Sequence, residues 1–262
     1  MAILAHPDDE SLGTGGALAR YAAEGVETFL LTATRGECGR FFTNQDRPSD
    51  DEVGRVRERE LRAAARELGI RELALLGYRD AELDRADPAE AVMRIAAHVR
   101  RVRPHVVITF DPFGGYGHPD HIAISQYAAA AVLAASGAGF EAGAGAAPHR
   151  VPKFYYLALG PDQWATYQAA FKRLGSVVDG VEREPMPWPE WSITTRIDTR
   201  AHWKTVWRAT RCHETQLPGY QRLRDLSPPE HERLWSTQTF YRVFSTVNGG
   251  RQPETDLFEG LR

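Results

Sequence analysis

Two short segments carry the side chains best suited to chemistry. The first, Ala5-His6-Pro7-Asp8-Asp9-Glu10, sets a histidine and a carboxylate three residues apart. Imidazole nitrogens and carboxylate oxygens are ordinary zinc ligands, and a catalytic zinc takes three protein ligands while leaving a position open to water. On a tight turn His6 and Asp9 can reach one ion, which leaves Asp8 off the metal and near enough to take a proton from the water. The second segment, Asp111-Pro112-Phe113-Gly114-Gly115-Tyr116-Gly117-His118-Pro119-Asp120-His121, adds two histidines three residues apart. One can complete the metal site while the other faces a substrate, and residue types alone do not say which. Three glycines around Tyr116 let the backbone bend sharply and the tyrosine move. A lone loop histidine or an Asp-Asp pair is commonplace, the latter as a helix cap. Two such clusters, each directly after an apolar strand, favour a metal site.

The scaffold must bring these distant segments together. Residues 2–5 form an apolar run ending at His6, which reads as a buried strand delivering the next residues to its carboxyl end, where open α/β sheets place their chemistry. After Gly13-Thr14-Gly15-Gly16 the pattern predicts a helix over 17–25, a strand over 28–34, and a helix over 51–69 with Gly69 as its C-terminal glycine. A strand at 73–76, a helix at 88–102 opened by Pro88 and a strand at 106–110 follow. These βα repeats predict an α/β fold with a mostly parallel, doubly wound sheet and helices on both faces. Further along, helices are expected at 122–133, 162–174 and 200–212, and strands at 154–159 and 192–197. The Ala/Gly-rich stretch 134–147 reads as a flexible loop, and the Pro/Trp-rich stretch 180–190 as a lid or rim. The expectation is a single domain over 1–262, with an accessory C-terminal region from about 150.

Composition narrows the class. The chain has 262 residues, 42% hydrophobic and 26% charged, as expected of a soluble globular domain with a substantial core. A net charge of −3 without a basic tract excludes a nucleic-acid surface. The arginines between Arg55 and Arg71 alternate with Glu58, Glu60 and Glu67, which makes a solvated helix face. Cys38 and Cys212 form neither a disulfide framework nor a paired metal-ligand spacing. No segment has the look of a signal peptide or reaches the roughly 18 consecutive apolar residues of a membrane span. The expected location is therefore the cytoplasm, with no membrane partner.

The pairing of Ala5-His6-Pro7-Asp8-Asp9-Glu10 with His118-Pro119-Asp120-His121 resembles the PIG-L/LmbE-like zinc deacetylase family, closest in motif to the mycothiol- and bacillithiol-pathway GlcNAc-conjugate deacetylases. The similarity continues through Thr34-Arg35-Gly36-Glu37, Arg57-Glu58-Arg59-Glu60 with Leu68-Gly69, and Gly77-Tyr78-Arg79-Asp80, roughly the first half of the chain. The resemblance implies a Rossmann-like fold and hydrolysis of an N-acetyl group on a small amino-sugar substrate. It implies zinc held by His6, Asp9 and His121, with Asp8 as general base. His118 would stabilise the oxyanion as a charged imidazole or protonate the leaving amine, and Tyr116 would be a mobile residue assisting at the same oxygen. Arg57 and Asp80 match substrate-contacting positions. Asp120 would orient one of its neighbouring histidines, or cap a helix.

The chain departs from the family in carrying His213-Glu214-Thr215-Gln216 where a His-x-Ser-Gln pattern is usual. Threonine keeps the hydroxyl, and His213 reads as a structural helix-end histidine. Two other readings compete. One is an amidase acting on a larger, mycothiol-type thiol conjugate, with residues 134–147 and 180–190 forming the discriminating rim. The other is a non-catalytic nucleotide- or metal-binding Rossmann-like protein, disfavoured because Gly13-Thr14-Gly15-Gly16 lacks the G-x-G-x-x-G spacing. The ligand types also admit another divalent first-row metal, and a homo-oligomer is left open.

Overall fold

A computed structural model of the chain describes residues 1–140, 146–171, 175–249 and 252–262. The first half runs β1 (Ala2–Leu4), α1 (Asp9–Leu12), α2 (Gly15–Ala23), β2 (Phe29–Thr34), α3 (Asp50–Glu67), β3 (Glu72–Tyr78), α4 (Pro88–Val102), β4 (Val106–Thr109), α5 (Gly114–Gly117) and α6 (Pro119–Ser136). The second runs β5 (Lys153–Leu157), α7 (Pro161–Phe171), β6 (Ser176–Val178), β7 (Val181–Arg183), β8 (Thr195–Asp198), α8 (Trp203–Arg211), α9 (Gln221–Arg224), α10 (Pro228–Leu234) and β9 (Thr237–Ser245).

Local chemistry sets the helix ends. The Ser49 hydroxyl accepts from Glu52 N at the start of α3, and Asp50, Asp51 and Glu52 place negative charge in its first turn. The helix closes at Leu68, followed by Gly69 at φ 71°, a left-handed position that suits glycine. Asp87 caps α4 through Ala89 N, with Pro88 as its first residue.

A seven-stranded sheet has the order β3-β2-β1-β4-β5-β9-β8. β3, β2, β1, β4 and β5 are parallel, while β9 runs antiparallel to both β5 and β8. The chain steps outward from β1 to β2 to β3, then crosses back over β1 to β4 and β5. With right-handed crossovers, that reversal sends α2 and α3 to one face and α4 and α6 to the other. The packing agrees: α2 and α3 both meet α8, and α4 lies along α6. Ile3, Leu4, Leu31, Val107 and Phe154 fill the core between the layers. The order reverses between β1 and β4, and a crevice at the carboxyl ends of such strands is where open α/β sheets bind ligands.

The expected α/β architecture is observed, with corrections in the second half. The helix expected at 122–133 runs from Pro119 to Ser136, so residues 134–136 are helical rather than loop; alanine is the best helix former, and its abundance there extends α6. The rest of the Ala/Gly-rich stretch includes residues 141–145, which lie outside the described residues, as do 172–174 at the end of the expected helix 162–174. Residues 181–183, within the expected rim, pair as β7 with β6 in a hairpin. β9, absent from the sequence reading, joins the C-terminal region to the main sheet through β5.

The C-terminal tail is fastened through one buried carboxylate. Glu254, 1% exposed, accepts from Lys153 Nζ (2.7 Å), Tyr155 OH (2.8 Å), Thr195 Oγ1 (2.8 Å) and Asn248 Nδ2 (2.8 Å), and pairs with Arg242 Nη1 (2.7 Å). Burial alone would raise its pKa; the hydrogen bonds, led by Lys153, win and bring it down to about 2. Among the described residues, no helix is long and apolar enough to cross a membrane.

Candidate metal centre and active site

β1 ends at Leu4 and hands His6 to the crevice. The turn that follows is held in an uncommon backbone: Asp8 has φ 101°, in the left-handed region that a non-glycine residue rarely adopts. Its N–H donates to Glu10 Oε2 (3.0 Å), and its carbonyl accepts from Ser11 N and Leu12 N to open α1. Strain of this kind persists only where surrounding contacts over-determine it, and it is concentrated at functional sites. Asp9 turns back onto the strand, with Oδ2 accepting from Ala5 N (3.2 Å) and His6 N (2.7 Å).

Two ring nitrogens and both oxygens of the Asp9 carboxylate gather there. His6 Nδ1 lies 3.1 Å from His121 Nε2, His121 Nε2 lies 3.5 Å from Asp9 Oδ1, and His6 Nδ1 lies 3.7 Å from Asp9 Oδ2. The edge of a tetrahedron with bonds of ~2.05 Å is about 3.3 Å, so the spacing suits one cation. The opposite ring nitrogens are already occupied. His6 Nε2–H faces Asp80 Oδ1 (3.0 Å) and Asp120 Oδ2 (3.1 Å), and His121 Nδ1–H faces the Gly114 carbonyl (3.3 Å). Such partners fix the tautomer and leave the other nitrogen a lone pair for a metal.

His118 differs. As the N-cap of α6, its Nδ1 accepts from Asp120 N (3.2 Å), so a neutral ring carries its proton on Nε2 and offers a donor. Nitrogens of His6, His118 and His121 also lie within 4.8 Å of one another, but this tautomer separates His118 from the lone-pair donors.

The electrostatics follow from this crowding. Burial would lower the His6 pKa, yet hydrogen bonds to Asp120 and Asp80 outweigh it and push it up to about 10. Burial raises Asp9 to about 7, with Asp8 and Glu10 pushing the same way against His6. Burial and the neighbouring His6 bring His118 down to about 4 and His121 well below the usual imidazole range. Tyr116 is raised by burial and by the Asp9 and Asp8 carboxylates. A cluster of carboxylates around His6 and His121 is a donor set that suits a divalent cation, whose binding would displace the proton that the carboxylates otherwise hold on His6.

Asp8 is gripped from two sides. Its Oδ2 accepts from Tyr220 OH (2.8 Å) and Arg57 Nη2 (3.3 Å). Arg57 projects from α3 and is 4% exposed; it also donates to the carbonyls of Pro7 (2.6 Å) and Gly36 (2.7 Å). A Cβ at Gly36 or Gly39 would collide with its guanidinium, which accounts for glycine at both positions. Asp80 accepts from Cys38 N (3.0 Å), and its hydrogen bond with His6 overcomes burial to bring its pKa down to about 2. Arg57 and Asp80, read from sequence as substrate contacts, both line the cavity, but their polar atoms already engage Asp8 and His6.

Asp120 corrects its sequence reading. Its carboxylate orients neither neighbouring histidine and does not cap α6. It reaches His6 of the other motif and accepts from Ala81 N (2.8 Å) and Leu83 N (3.1 Å). His213 Nε2–H donates to Glu10 Oε1 (2.7 Å) with both side chains buried, and Thr215 donates to Glu60 through N (2.8 Å) and Oγ1 (2.7 Å). The His-Glu-Thr-Gln segment thus anchors the end of α8 to α1 and α3, as a structural element behind the Asp8 turn.

These groups open onto a cavity of about 310 Å³ whose lining includes His6, Asp8, Asp9, Tyr116 and His118. Tyr116 lies in a glycine-bent turn with Gly115 at φ 70°, its ring 5.3 Å from that of His121. The hairpin of β6 and β7 braces this turn: Ser176 Oγ donates to the Tyr116 carbonyl (3.1 Å) and Arg183 Nη1 to that of Gly117 (3.1 Å). Sequence reasoning missed Tyr220, Asp111 and the aromatic residues Trp164, Tyr167 and Phe171, which also line the cavity. It caught Trp188 only as part of a rim.

Residues 1–132, which contain both motifs, match the family described as PIG-L: GlcNAc-PI de-N-acetylase. The chain belongs to the PIG-L family. It is 35% identical over 297 residues to a 1D-myo-inositol 2-acetamido-2-deoxy-alpha-D-glucopyranoside deacetylase of Kineococcus radiotolerans, covering 98% of this chain and 81% of the relative. Solved structures share the fold. The N,N'-diacetylchitobiose deacetylase of Pyrococcus horikoshii superposes with a TM-score of 0.66 at 20% identity, covering 92% of this chain and 83% of that one. The 4-carboxy-2-hydroxymuconate hydratase GalB of Pseudomonas putida superposes with a TM-score of 0.69 at 20% identity, covering 95% of this chain and 97% of that one. A PIG-L fold can therefore serve different reactions, and the site has to decide between them.

Proposed function

We propose that this protein hydrolyses the N-acetyl group of a GlcNAc conjugate, as a single catalytic domain whose C-terminal region completes the sheet and walls the cavity. The observation that carries the reading is the convergence of His6 Nδ1, His121 Nε2 and Asp9 on one point, with Asp8 and His118 beside it. The relative named as a 1D-myo-inositol 2-acetamido-2-deoxy-alpha-D-glucopyranoside deacetylase supports a GlcNAc-inositol type of substrate.

In this reading His6, Asp9 and His121 would hold a divalent cation, zinc as the family resemblance implies, which when bound would polarise the amide carbonyl and ease ionisation of water. Asp8 takes the proton of the attacking water; Tyr220 and Arg57 hold its Oδ2 and leave its Oδ1 for that task. His118, neutral and with its Nε2–H directed by the α6 cap, donates a hydrogen bond to the developing oxyanion, and the proton taken up by Asp8 passes to the departing amine. Tyr116 assists at the same oxygen from its glycine-bent turn. Arg57 and Asp80 act by holding Asp8 and His6, and Asp120 acts with Asp80 on His6.

The test is amine release from GlcNAc-inositol, GlcNAc-malate and simple GlcNAc glycosides by protein of assayed metal content, with Asp8→Ala as control. Release from one conjugate that the control abolishes supports the reading. Metal-loaded protein that releases no amine from any of them, while cleaving a larger thiol conjugate, overturns it in favour of the amidase.

A further inference from the structure

The cavity has two unlike sides. One carries the histidines and carboxylates. The other is formed by Leu12, by Leu157 and Leu159 at the end of β5, and by Trp164, Tyr167 and Phe171 of α7. The α7 residues fall at i, i+3 and i+7, so one helix face supplies all three rings. The rings brace one another: Tyr167 stacks on Phe171 at 5.7 Å, and Trp164 and Trp235 meet its edge at 6.3 and 6.0 Å.

Two amphipathic lining residues have their polar atoms engaged elsewhere. Tyr167 OH is spent on the Leu12 carbonyl (2.8 Å), and Trp188 Nε1–H, at the mouth, is spent on Asp111 Oδ2 (2.7 Å). A glucosamine or inositol ring carries a hydroxyl on nearly every carbon, and an acetyl group offers one methyl. A hydroxyl placed against the leucines or the Tyr167 and Phe171 rings would lose its water and find no partner there, which is unfavourable.

We infer that this second compartment takes an apolar substituent of several carbons carried by the amino sugar, as either a longer N-acyl chain or an apolar aglycone. The inference rests on the amide-hydrolase reading. The reaction keeps the balance of any amide hydrolysis: the oxygen of water forms the new C–O bond, the C–N bond breaks, the nitrogen leaves with the proton as amine, and a carboxylate remains.

Two substrate arms separate the sources. One compares methyl glycosides of N-acetyl-, N-butanoyl- and N-hexanoyl-glucosamine; the other compares methyl, butyl and phenyl glycosides of N-acetylglucosamine. Each methylene buried should raise kcat/KM about fourfold, in one arm only, and that arm names the source. Leu159→Ser, at a partly exposed lining position, should cut the long-to-short ratio in that arm fivefold or more.

Binding to metal-loaded Asp8→Asn protein, followed by tryptophan fluorescence, gives a readout independent of turnover. The favoured long analogue should bind at least tenfold tighter than the short one. Equal kcat/KM and equal Kd across both arms would mean that the wall stacks on the C–H face of the sugar; the inference then fails while amide hydrolysis stands. Absence of turnover on every amide would remove the amide-hydrolase reading, and the binding arm would still decide whether the compartment takes apolar groups.

Discussion

Tyr220→Phe isolates one hydrogen bond at the reacting end of the site. The ring stays in place, its centroid 5.6 Å from that of Phe171, while the donor 2.8 Å from Asp8 Oδ2 is lost. A buried hydrogen bond to a charged group is worth about 1.5–3 kcal/mol. Arg57 remains as a second donor at 3.3 Å, so the low end applies, about 1.5 kcal/mol. If that energy positions Asp8 in the transition state, kcat falls about tenfold, with KM and metal content unchanged. The assay is amine release with kcat and KM resolved separately, alongside metal analysis and a thermal melt. In an Asp8→Asn background the same change should have no further effect on rate, because the partner it positions is gone. Wild-type kcat in the single variant, or a full tenfold loss on top of Asp8→Asn, would refute the assignment of Tyr220 as a positioning residue.

Other perturbations separate the remaining roles. His118→Gln should lower kcat by about 10²–10³-fold while metal analysis still finds one equivalent bound. Asp120→Asn should weaken metal affinity about 10–100-fold, read by competition with a chelator, because His6 loses one of its two carboxylate partners. Glu254→Ala should cost about 3–5 kcal/mol in denaturant unfolding, since it strands Lys153 in the interior. The folded Glu254 pKa of about 2 lies below its unfolded value, so its contribution is complete above about pH 4.5 and is lost as pH falls towards 2. Melting temperatures of wild type and Glu254→Ala should therefore converge on acidification through that window.

How much was legible depended on whether the chemistry sat next to a local signal. That His6, Asp9 and His121 come together could be read because each motif follows an apolar strand, and parallel strands present their carboxyl ends on one edge. The partner of Asp120 could not, because its contact with His6 depends on how α6 is seated beside β1, which no local pattern encodes. Tyr220 sits in Leu217-Pro218-Gly219-Tyr220, a turn with no catalytic signature. The wall residues Trp164, Tyr167 and Phe171 have ordinary helix-face spacing, indistinguishable in sequence from a helix facing the core. β9 was missed because its pairing partner β5 lies far upstream, and Glu254 because a carboxylate in a short tail gives no hint of the lysine, tyrosine and threonine that converge on it.

The most direct test of a catalytic cation is reconstitution of metal-stripped protein with increasing zinc, following bound metal and amine release together in wild type and His121→Ala. Wild-type activity should rise in step with the first equivalent bound and then level, while His121→Ala should lose tight binding and activity together. Full amine release by the stripped protein, or undiminished tight binding and activity in His121→Ala, would contradict a catalytic cation held by His6, Asp9 and His121.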